Sequence, residues 1–324
     1  MTTLYIDRKG LTCKFENKAL IFYEDGQRCG TIPTIPLKRD VVHTNVTLDT
    51  SVLAHLGQQG IGVTLLGGRS HQPSLYLPAQ TEDARRRIAQ YLLSQDEVYR
   101  TAIVRKLLCH KCRSQQATLA SLLQAHPNNV VIENAIRVID NTSQKLADAE
   151  NISTLLGIEG YSATLYFQAL ASIAPHELHF QGRNRRPPKD PLNALLSLLY
   201  TLLYSEAALI AHIAGLDPYV GFLHALESGR ASLACDIMEP LRPQVDLFAL
   251  SLFQEGMLTV EQFTQSSKGC LLSKEGRTVF YPTYEEAAKP WRLTLQKDVK
   301  DLVAKFEADY NLRKLTNVET ESEE

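Results

Sequence analysis

The sequence carries no excess of charge of either sign. Its 324 residues contain 34 lysines and arginines against 36 aspartates and glutamates, which gives a formal net charge of -2 at pH 7. A uniformly cationic nucleic-acid binder is therefore excluded, because its surface would need a large surplus of positive charge. Any surface that binds phosphate must be a local basic patch that acidic residues balance elsewhere.

Cysteine is sparse, and the N-terminus has no apolar run of the kind that directs export. The first ten residues, MTTLYIDRKG, place Asp7, Arg8 and Lys9 where a secretory signal needs a continuous apolar segment. Without export, scattered cysteines are expected to stay reduced rather than to form a disulfide framework. These observations predict a cytoplasmic protein with six free thiols, at positions 13, 29, 109, 112, 235 and 270.

The sequence also has no uninterrupted apolar run long enough to predict a membrane span. Residues 192–216, LNALLSLLYTLLYSEAALIAHIAGL, come nearest, but Asn193, Glu206 and His212 interrupt them. The segment is better suited to a helix buried in a helical core. We therefore expect no membrane partner.

A change in the spacing of apolar residues divides the chain near residue 80. Residues 1–80 carry short alternating or β-branched runs separated by turn signals, which predict a small β-sandwich-like domain. Residues 81–316 have apolar residues at helical spacing and predict a larger, all-helical catalytic domain. The predicted fold class is therefore α+β, and a hydrophobic content of 44% is sufficient for two cores.

Two local signals refine this division. Within the β domain, Asp49 or Thr50 is suited to cap a short helix that ends at Gly57. At the C-terminus, residues 317–324 include VETESEE, an acidic segment with little apolar surface to bury. This segment predicts a disordered tail.

One apolar segment, GFLHALESGRASLACDIMEPLRP at residues 221–243, contains side chains that need partners if they are buried. They are His224, Asp236, Glu239 and Arg242. Asp217 with Pro218, and Gly229, predict the start and the end of a short helix around His224. Asp236 and Glu239 stand three residues apart and share a helical face, while Pro240 predicts a kink beside them.

A third acid, Glu159, lies between Gly157 and Gly160 in a stretch of helical periodicity. Two glycines lower helix stability, which is reasonable if a backbone, a metal or a phosphate approaches closely there. Two carboxylates and an imidazole match the ligand set of Mn²⁺ or Mg²⁺, with positions left for water and phosphate oxygens. The residues alone leave a second interpretation open, a hydrogen-bonded core histidine with acids on a solvated helix face.

A basic loop precedes the long apolar helix. In GRNRRPPKDP, residues 182–191, arginine forks match phosphate oxygens and two prolines stiffen the backbone, which suits contacts to DNA phosphates. A solvated connector is the other interpretation. The candidate phosphate contacts are Arg183, Arg185, Arg186 and Lys189.

Three ordered motifs resemble a known family, the CRISPR-associated adaptation integrases, which insert captured DNA as new spacers into a CRISPR array. The motifs are Gly157-Ile-Glu-Gly160, the stretch RRPPKDPLNALLS, and Gly221-Phe-Leu-His224 followed by SLACDIMEPLR. The resemblance covers nearly the whole chain. It implies that Glu159, His224 and Glu239 hold a catalytic Mg²⁺ or Mn²⁺. It also implies that Asp236 supports the site or is an alternative ligand, and that Arg242 and the loop arginines face phosphates.

The same resemblance implies an activity and partners. A 3′-hydroxyl on incoming double-stranded DNA would attack a target phosphodiester with the help of the cation, and water in place of the hydroxyl would give endonuclease activity. Family members form homodimers and work with a small companion nuclease-like protein, and the β domain is expected to provide such contacts. Two other functions stay open: a hydrolytic nuclease for branched DNA, and a DNA-binding scaffold with an inactive metal site.

Overall fold

The computed structural model describes residues 2–66, 73–79, 83–184, 187–224, 227–267 and 269–321. Two of the predicted phosphate contacts, Arg185 and Arg186, lie outside the described residues. So do residues 322–324 of the predicted acidic tail.

The N-terminal region consists of two four-stranded sheets and one helix. One sheet has the strand order β1-β5-β7-β8 and the other β4-β3-β2-β6. The elements are β1 (Thr2–Ile6), β2 (Thr12–Glu16), β3 (Ala19–Glu24), β4 (Gln27–Pro33), β5 (Leu37–Val42), β6 (Thr47–Leu48), α1 (Thr50–Gln58), β7 (Gly62–Leu65) and β8 (Ser74–Tyr76). Buried side chains from both sheets and from α1, including Leu20, Leu56 and Val63, form one core. The predicted sandwich-like β region is confirmed.

The predicted cap of the short helix is confirmed at Asp49. Its side chain accepts a hydrogen bond from the backbone N–H of Ser51 at 2.9 Å, which satisfies one of the donors left free in the first helical turn. The helix ends at Gln58, one residue beyond the predicted Gly57.

The rest of the described chain is mainly helical. Its elements are α2 (Ala84–Gln95), α3 (Glu97–Ala125), α4 (Val130–Asp148), α5 (Ile152–Ala171), α6 (Pro191–Ile213), α7 (Ser232–Met238), α8 (Arg242–Gln254), β9 (Phe263–Ser266), β10 (Gly269–Leu272) and α9 (Lys274–Glu321). The α+β class is confirmed. The predicted larger helical region is confirmed as mostly helical, with one addition, the antiparallel hairpin that β9 and β10 form. Since α9 continues to Glu321, the predicted tail boundary at residue 317 falls inside this helix.

The long apolar segment forms α6 in the centre of the helical core, as predicted. By length and composition alone α6 could cross a membrane, but 67% of its most apolar window is buried inside the protein. Leu195, Leu199 and Leu202 are fully buried among residues from the other helices. The apolar length of α6 is explained by packing within the protein.

A buried ionic cluster joins the β region to the helical region. Glu206 of α6 is 3% exposed, and it accepts hydrogen bonds from Nε of Arg292 at 2.9 Å and from the Tyr284 hydroxyl at 2.7 Å, both on α9. Arg39 of β5 forms an ion pair with the same carboxylate. Two arginines from distant parts of the chain thus compensate the charge that interrupts α6.

Replacing Glu206 by glutamine should lower the free energy of unfolding by about 3 kcal/mol, because two buried guanidinium groups would be left with the Glu285 carboxylate as their shared counter-ion. Urea unfolding followed by circular dichroism measures this loss. Glu286→Gln is the matched control, since this side chain is 74% exposed and its ion pair among the described residues is with Lys289 on the same helix. Equal unfolding midpoints for the two variants would contradict the prediction.

A second buried acid, Asp40 of β5, should make stability depend on pH. Asp40 is 2% exposed, its Oδ1 has no hydrogen-bond partner among the described residues, and burial raises its pKa from 3.8 to about 7. Between these values the folded protein keeps a proton that the unfolded chain releases, so the free energy of unfolding falls as pH rises from about 4 to 7.

Asp40→Asn removes this ionisation. Relative to the unsubstituted protein, the variant should gain about 3 kcal/mol between pH 5 and pH 8, as expected for two pKa units. Urea unfolding at several pH values measures the gain, with Asp25→Asn in an exposed turn as the control. Parallel pH profiles for Asp40→Asn and the unsubstituted protein would show that Asp40 is ionised throughout.

Candidate active site

The predicted ligands come from three separate parts of the helical region. Glu159 lies on α5, His224 follows α6, and Glu239 begins a short 3₁₀ turn, Glu239–Leu241, between α7 and α8. Pro240 lies in this turn, so the predicted break in the helix is confirmed. The turn packs against α3, which brings Glu239 toward the centre of the helical region.

The predicted helix around His224 is wrong, because residues 217–224 form turns and bends. The buried carboxylate of Asp236, on α7, accepts hydrogen bonds from the backbone N–H groups of Phe222, Leu223 and His224. In a helix these groups would bond to backbone carbonyls four residues earlier. A side chain from a neighbouring helix takes their place and fixes the loop in a non-helical conformation.

Asp236 also orients the His224 ring. Its Oδ1 lies 2.7 Å from Nδ1 of His224, and this contact holds the ring with Nε2 on the side of Glu239. Nε2 lies 3.8 Å from Oε1 of Glu239. Three backbone donors and the His224 ring thus occupy both Asp236 oxygens, an arrangement that suits a supporting residue better than a metal ligand.

Gly221 allows this arrangement because no side chain fits at its position. A Cβ atom there would lie 2.8 Å from Oδ2 of Asp236 and 2.9 Å from the carbonyl oxygen of Ser232. Gly157 and Gly160, beside Glu159, are different, since nothing lies within 4 Å of a Cβ at either position. The expected close approach to these two glycines is therefore not made by the described residues of the protein itself.

Glu239 is a buried carboxylate held in its charged form by cations. Burial raises its pKa, but Arg242, Lys111 and His224 outweigh burial and lower the pKa to about 2. Nη2 of Arg242 lies 3.1 Å from Oε1 of Glu239, and Nζ of Lys111 lies 2.7 Å from Oε2. The site is therefore compensated by positive charge without any bound ion.

Lys111 is the functional side chain that the sequence reasoning missed. It lies on α3, is 8% exposed, and its ammonium bridges Glu159 and Glu239 by contacting both carboxylates. A signal was present in the sequence, because Lys111 falls in the apolar stripe of α3 that includes Val104, Leu108 and Cys112. A lysine within a buried stripe needs an anionic partner.

The donor set suits a hard divalent cation, although no three His, Cys, Asp or Glu side chains among the described residues stand close enough to enclose one. Oε2 of Glu239 is buried and accepts no hydrogen bond of good geometry, since Lys111 approaches it only as an ion pair. This oxygen, Nε2 of His224 and the Glu159 carboxylate are oxygen and imidazole donors of the kind that Mn²⁺ and Mg²⁺ accept. The ammonium of Lys111 stands between the two carboxylates.

A small cavity of about 40 Å³ adjoins the Glu159 carboxylate and opens to solvent. Its walls include Lys111, Gln115, Glu159, Arg183, Tyr200 and Arg242. The Arg242 and Arg183 guanidinium groups lie over the Tyr200 ring, 4.8 Å and 5.4 Å from its centroid. The Tyr200 ring holds both guanidinium groups in place near the oxygen and imidazole donors. Guanidinium groups in such a position are suited to bind a phosphate.

The basic loop is folded onto α6 through Asn193. Asn193 is fully buried, and its amide accepts hydrogen bonds from Nη1 of Arg183 and from the backbone N–H of Asn184. Arg183 therefore points inward to the cavity, whereas Lys189 is exposed. The β9–β10 hairpin holds the other end of the loop, because the N–H of Cys270 donates to the carbonyl of Pro188 at 2.8 Å.

Comparison with known proteins places these features in one family. Residues 4–286 match the family model described as CRISPR associated protein Cas1. Over 306 residues the chain is 35% identical to a CRISPR-associated endonuclease Cas1 from Thermodesulfovibrio yellowstonii, covering 93% of this chain and 95% of the relative.

Two solved structures share the fold. A casposase bound to an integration product has a TM-score of 0.84 at 22% identity, covering 95% of this chain and 91% of that chain. A Cas1 protein from Thermotoga maritima has a TM-score of 0.82 at 23% identity, covering 94% of this chain and 97% of that chain. At these identities the likeness concerns the fold.

Gly221→Ala should destabilise the protein by about 1–3 kcal/mol and displace Asp236, because its Cβ would overlap atoms that cannot move freely. Gly157→Ala is the matched control, and in its open helical position it should stabilise the protein by about 0.5–1 kcal/mol. Thermal unfolding of both variants checks the opposite signs. A Gly221→Ala variant as stable as the unsubstituted protein would refute the packing argument.

Proposed function

The chain belongs to the family of CRISPR-associated Cas1 proteins, and from this premise we propose that it is a divalent-metal-dependent DNA integrase. It joins the 3′-hydroxyl ends of captured DNA to a CRISPR repeat array by transesterification, and it has endonuclease activity. The curated relative described above is itself named an endonuclease. The enzyme class, a nuclease or integrase, is therefore that of its family.

The proposal rests on how close the three predicted ligands lie. His224 lies beside Glu239, and Lys111 connects Glu239 to Glu159. The cavity next to them is lined by Lys111, Arg183 and Arg242. The three predicted ligands come from distant parts of the chain. A scaffold without catalysis has no need to bury Glu239 and to orient Nε2 of His224 toward it. The cavity supplies the place for the phosphate.

In the proposed reaction Glu159, His224 and Glu239 would hold Mg²⁺ or Mn²⁺, which would supply Lewis-acid activation of the reacting hydroxyl and phosphate. Asp236 keeps the His224 ring oriented, and Arg242 and Arg183 face the phosphate from the cavity wall. The incoming 3′-oxygen forms a bond to the target phosphorus while the bond to the target strand's leaving oxygen breaks. One phosphodiester replaces another, so no covalent protein intermediate is needed.

Double-stranded DNA is the proposed partner along the basic loop. Lys189 is exposed for phosphate contact, and Arg185 and Arg186, outside the described residues, belong to the same loop. We further propose a homodimer and a small companion protein, both contacting the β region, as the family resemblance implies. A cytoplasmic location agrees with six cysteines that are all free.

The test is strand transfer by the purified protein, with and without its companion. A labelled duplex and a supercoiled plasmid carrying a repeat array are incubated in Mn²⁺, Mg²⁺ or EDTA. Glu159→Gln, His224→Ala and Glu239→Gln should each lower joining by about 100-fold or more, since each removes a ligand of the cation. Duplex affinity should change by less than about threefold, because phosphate contacts dominate affinity.

Glu286→Gln, an exposed acid far along α9, is the control and should join DNA normally. Cutting without joining would favour the hydrolytic nuclease. Binding with neither reaction would favour the scaffold. Joining that survives in EDTA would refute the dependence on a divalent metal.

A further inference from the structure

Lys111 occupies the position between the two carboxylates that the proposed metal would share. Its ammonium contacts Oε1 of Glu159 and lies 2.7 Å from Oε2 of Glu239. The side chain is 10% exposed and comes from α3, which carries none of the ligands. The Lys111 ammonium, a monovalent cation, thus lies between the two carboxylates that the proposed divalent cation would bind.

We propose that Lys111 is an internal counter-ion that competes with the divalent cation for Glu159 and Glu239 and, once displaced, turns into the adjoining cavity to bind a DNA phosphate. This inference rests on the metal site of the proposed function. It assigns to Lys111 a role in coupling metal binding to DNA binding.

Charge balance supports the competition. Glu159 and Glu239 carry two negative charges, and the two cations in contact with them are Lys111 and Arg242; a further acid, Asp246, lies near Arg242 on the cavity wall. A divalent cation added to this balanced group would leave excess positive charge in a buried place, which is unfavourable. Movement of the ammonium away from the carboxylates relieves the repulsion, and an arriving phosphate compensates what remains.

The displaced ammonium of Lys111 can move into the adjoining cavity. Lys111 already lines it, and its four-carbon stem allows the ammonium to swing. Gln115, one helical turn further along α3, is 2% exposed, and its Oε1 has no hydrogen-bond partner among the described residues. The ammonium can donate to this oxygen.

Arg242 contributes a positive charge and an unused hydrogen-bond donor next to the same cavity. Its Nε is buried and has no hydrogen-bond partner among the described residues, while its guanidinium is held over Tyr200. The unused Arg242 donor and the unused Gln115 acceptor thus belong to residues that line one cavity with Lys111. A phosphate oxygen satisfies the Arg242 donor, and the ammonium satisfies both the phosphate and Gln115.

The first measurement is Mn²⁺ affinity of the full chain without DNA, from the electron paramagnetic resonance signal of free Mn²⁺. Lys111→Met should bind Mn²⁺ about tenfold or more tightly than the unsubstituted protein, because the competing charge is gone. Lys106→Met, an exposed position on the same helix, is the matched control and should leave affinity unchanged. Unchanged or weaker binding by Lys111→Met would overturn the proposal.

Thermal unfolding adds a readout that separates competition from mere structural support. Without metal, Lys111→Met should melt below the unsubstituted protein, since two carboxylates lose their partner; Mn²⁺ should then raise its melting temperature more than it raises that of the unsubstituted protein. Lys111→Gln, which keeps a polar group, provides a second folded variant. A lower melting temperature that Mn²⁺ fails to restore would indicate a purely structural lysine and overturn the proposal.

The coupling to DNA is tested by duplex binding in Ca²⁺-free buffer with and without Mn²⁺. Mn²⁺ should increase duplex affinity of the unsubstituted protein by more than it does for Lys111→Met, since only the former releases an ammonium toward phosphate. Equal increases would overturn the coupling. If neither protein binds Mn²⁺, the metal site of the proposed function fails together with this inference, whereas equal binding by both proteins refutes Lys111 competition alone.

Discussion

A carboxylate buried in protein must have positive charge or hydrogen-bond donors beside it, and this constraint organises the helical region. Glu239 lies at the junction of α7 and α8 with Arg242, Lys111 and His224 around it. Asp236 is satisfied differently, by three backbone N–H groups and the His224 ring. The loop after α6, the turn at Pro240 and the inward face of α3 take their conformations from these two carboxylates.

The same constraint fixes the β region on the helical region. Glu206 is placed in the middle of an apolar helix, where its charge is tolerated only because Arg292 and Arg39 reach it from α9 and β5. Such a cluster specifies one arrangement of the two regions, since any other would leave charges buried without partners. The β region is thus held at a defined place relative to the active site.

Residues of the active site divide into those that sequence reasoning could find and those that it could not. Glu159, His224 and Glu239, the proposed ligands, could be predicted because acids and a histidine in apolar segments, in motifs resembling a known family, indicate a site. Lys111 was not, because its partners lie 48 and more residues away and nothing local distinguishes it from a surface lysine except its place in the α3 stripe. Arg183 was expected to contact DNA phosphates, but the sequence could not show that Asn193 holds it on the wall of the cavity.

Periodicity, turn residues and caps are local properties, and by themselves they determined the α+β class, the cap at Asp49, the core position of α6 and the break at Pro240. Tertiary structure alone decided that Asp236 orients His224, that residues 217–224 are not helical, and that β9 and β10 form a hairpin against the basic loop. The physical reason is that a backbone N–H can donate its hydrogen bond either to a nearby backbone carbonyl or to a side chain that folding brings close. Which acceptor is used depends on distances in the folded protein, and the spacing of residues along the sequence does not reveal these distances.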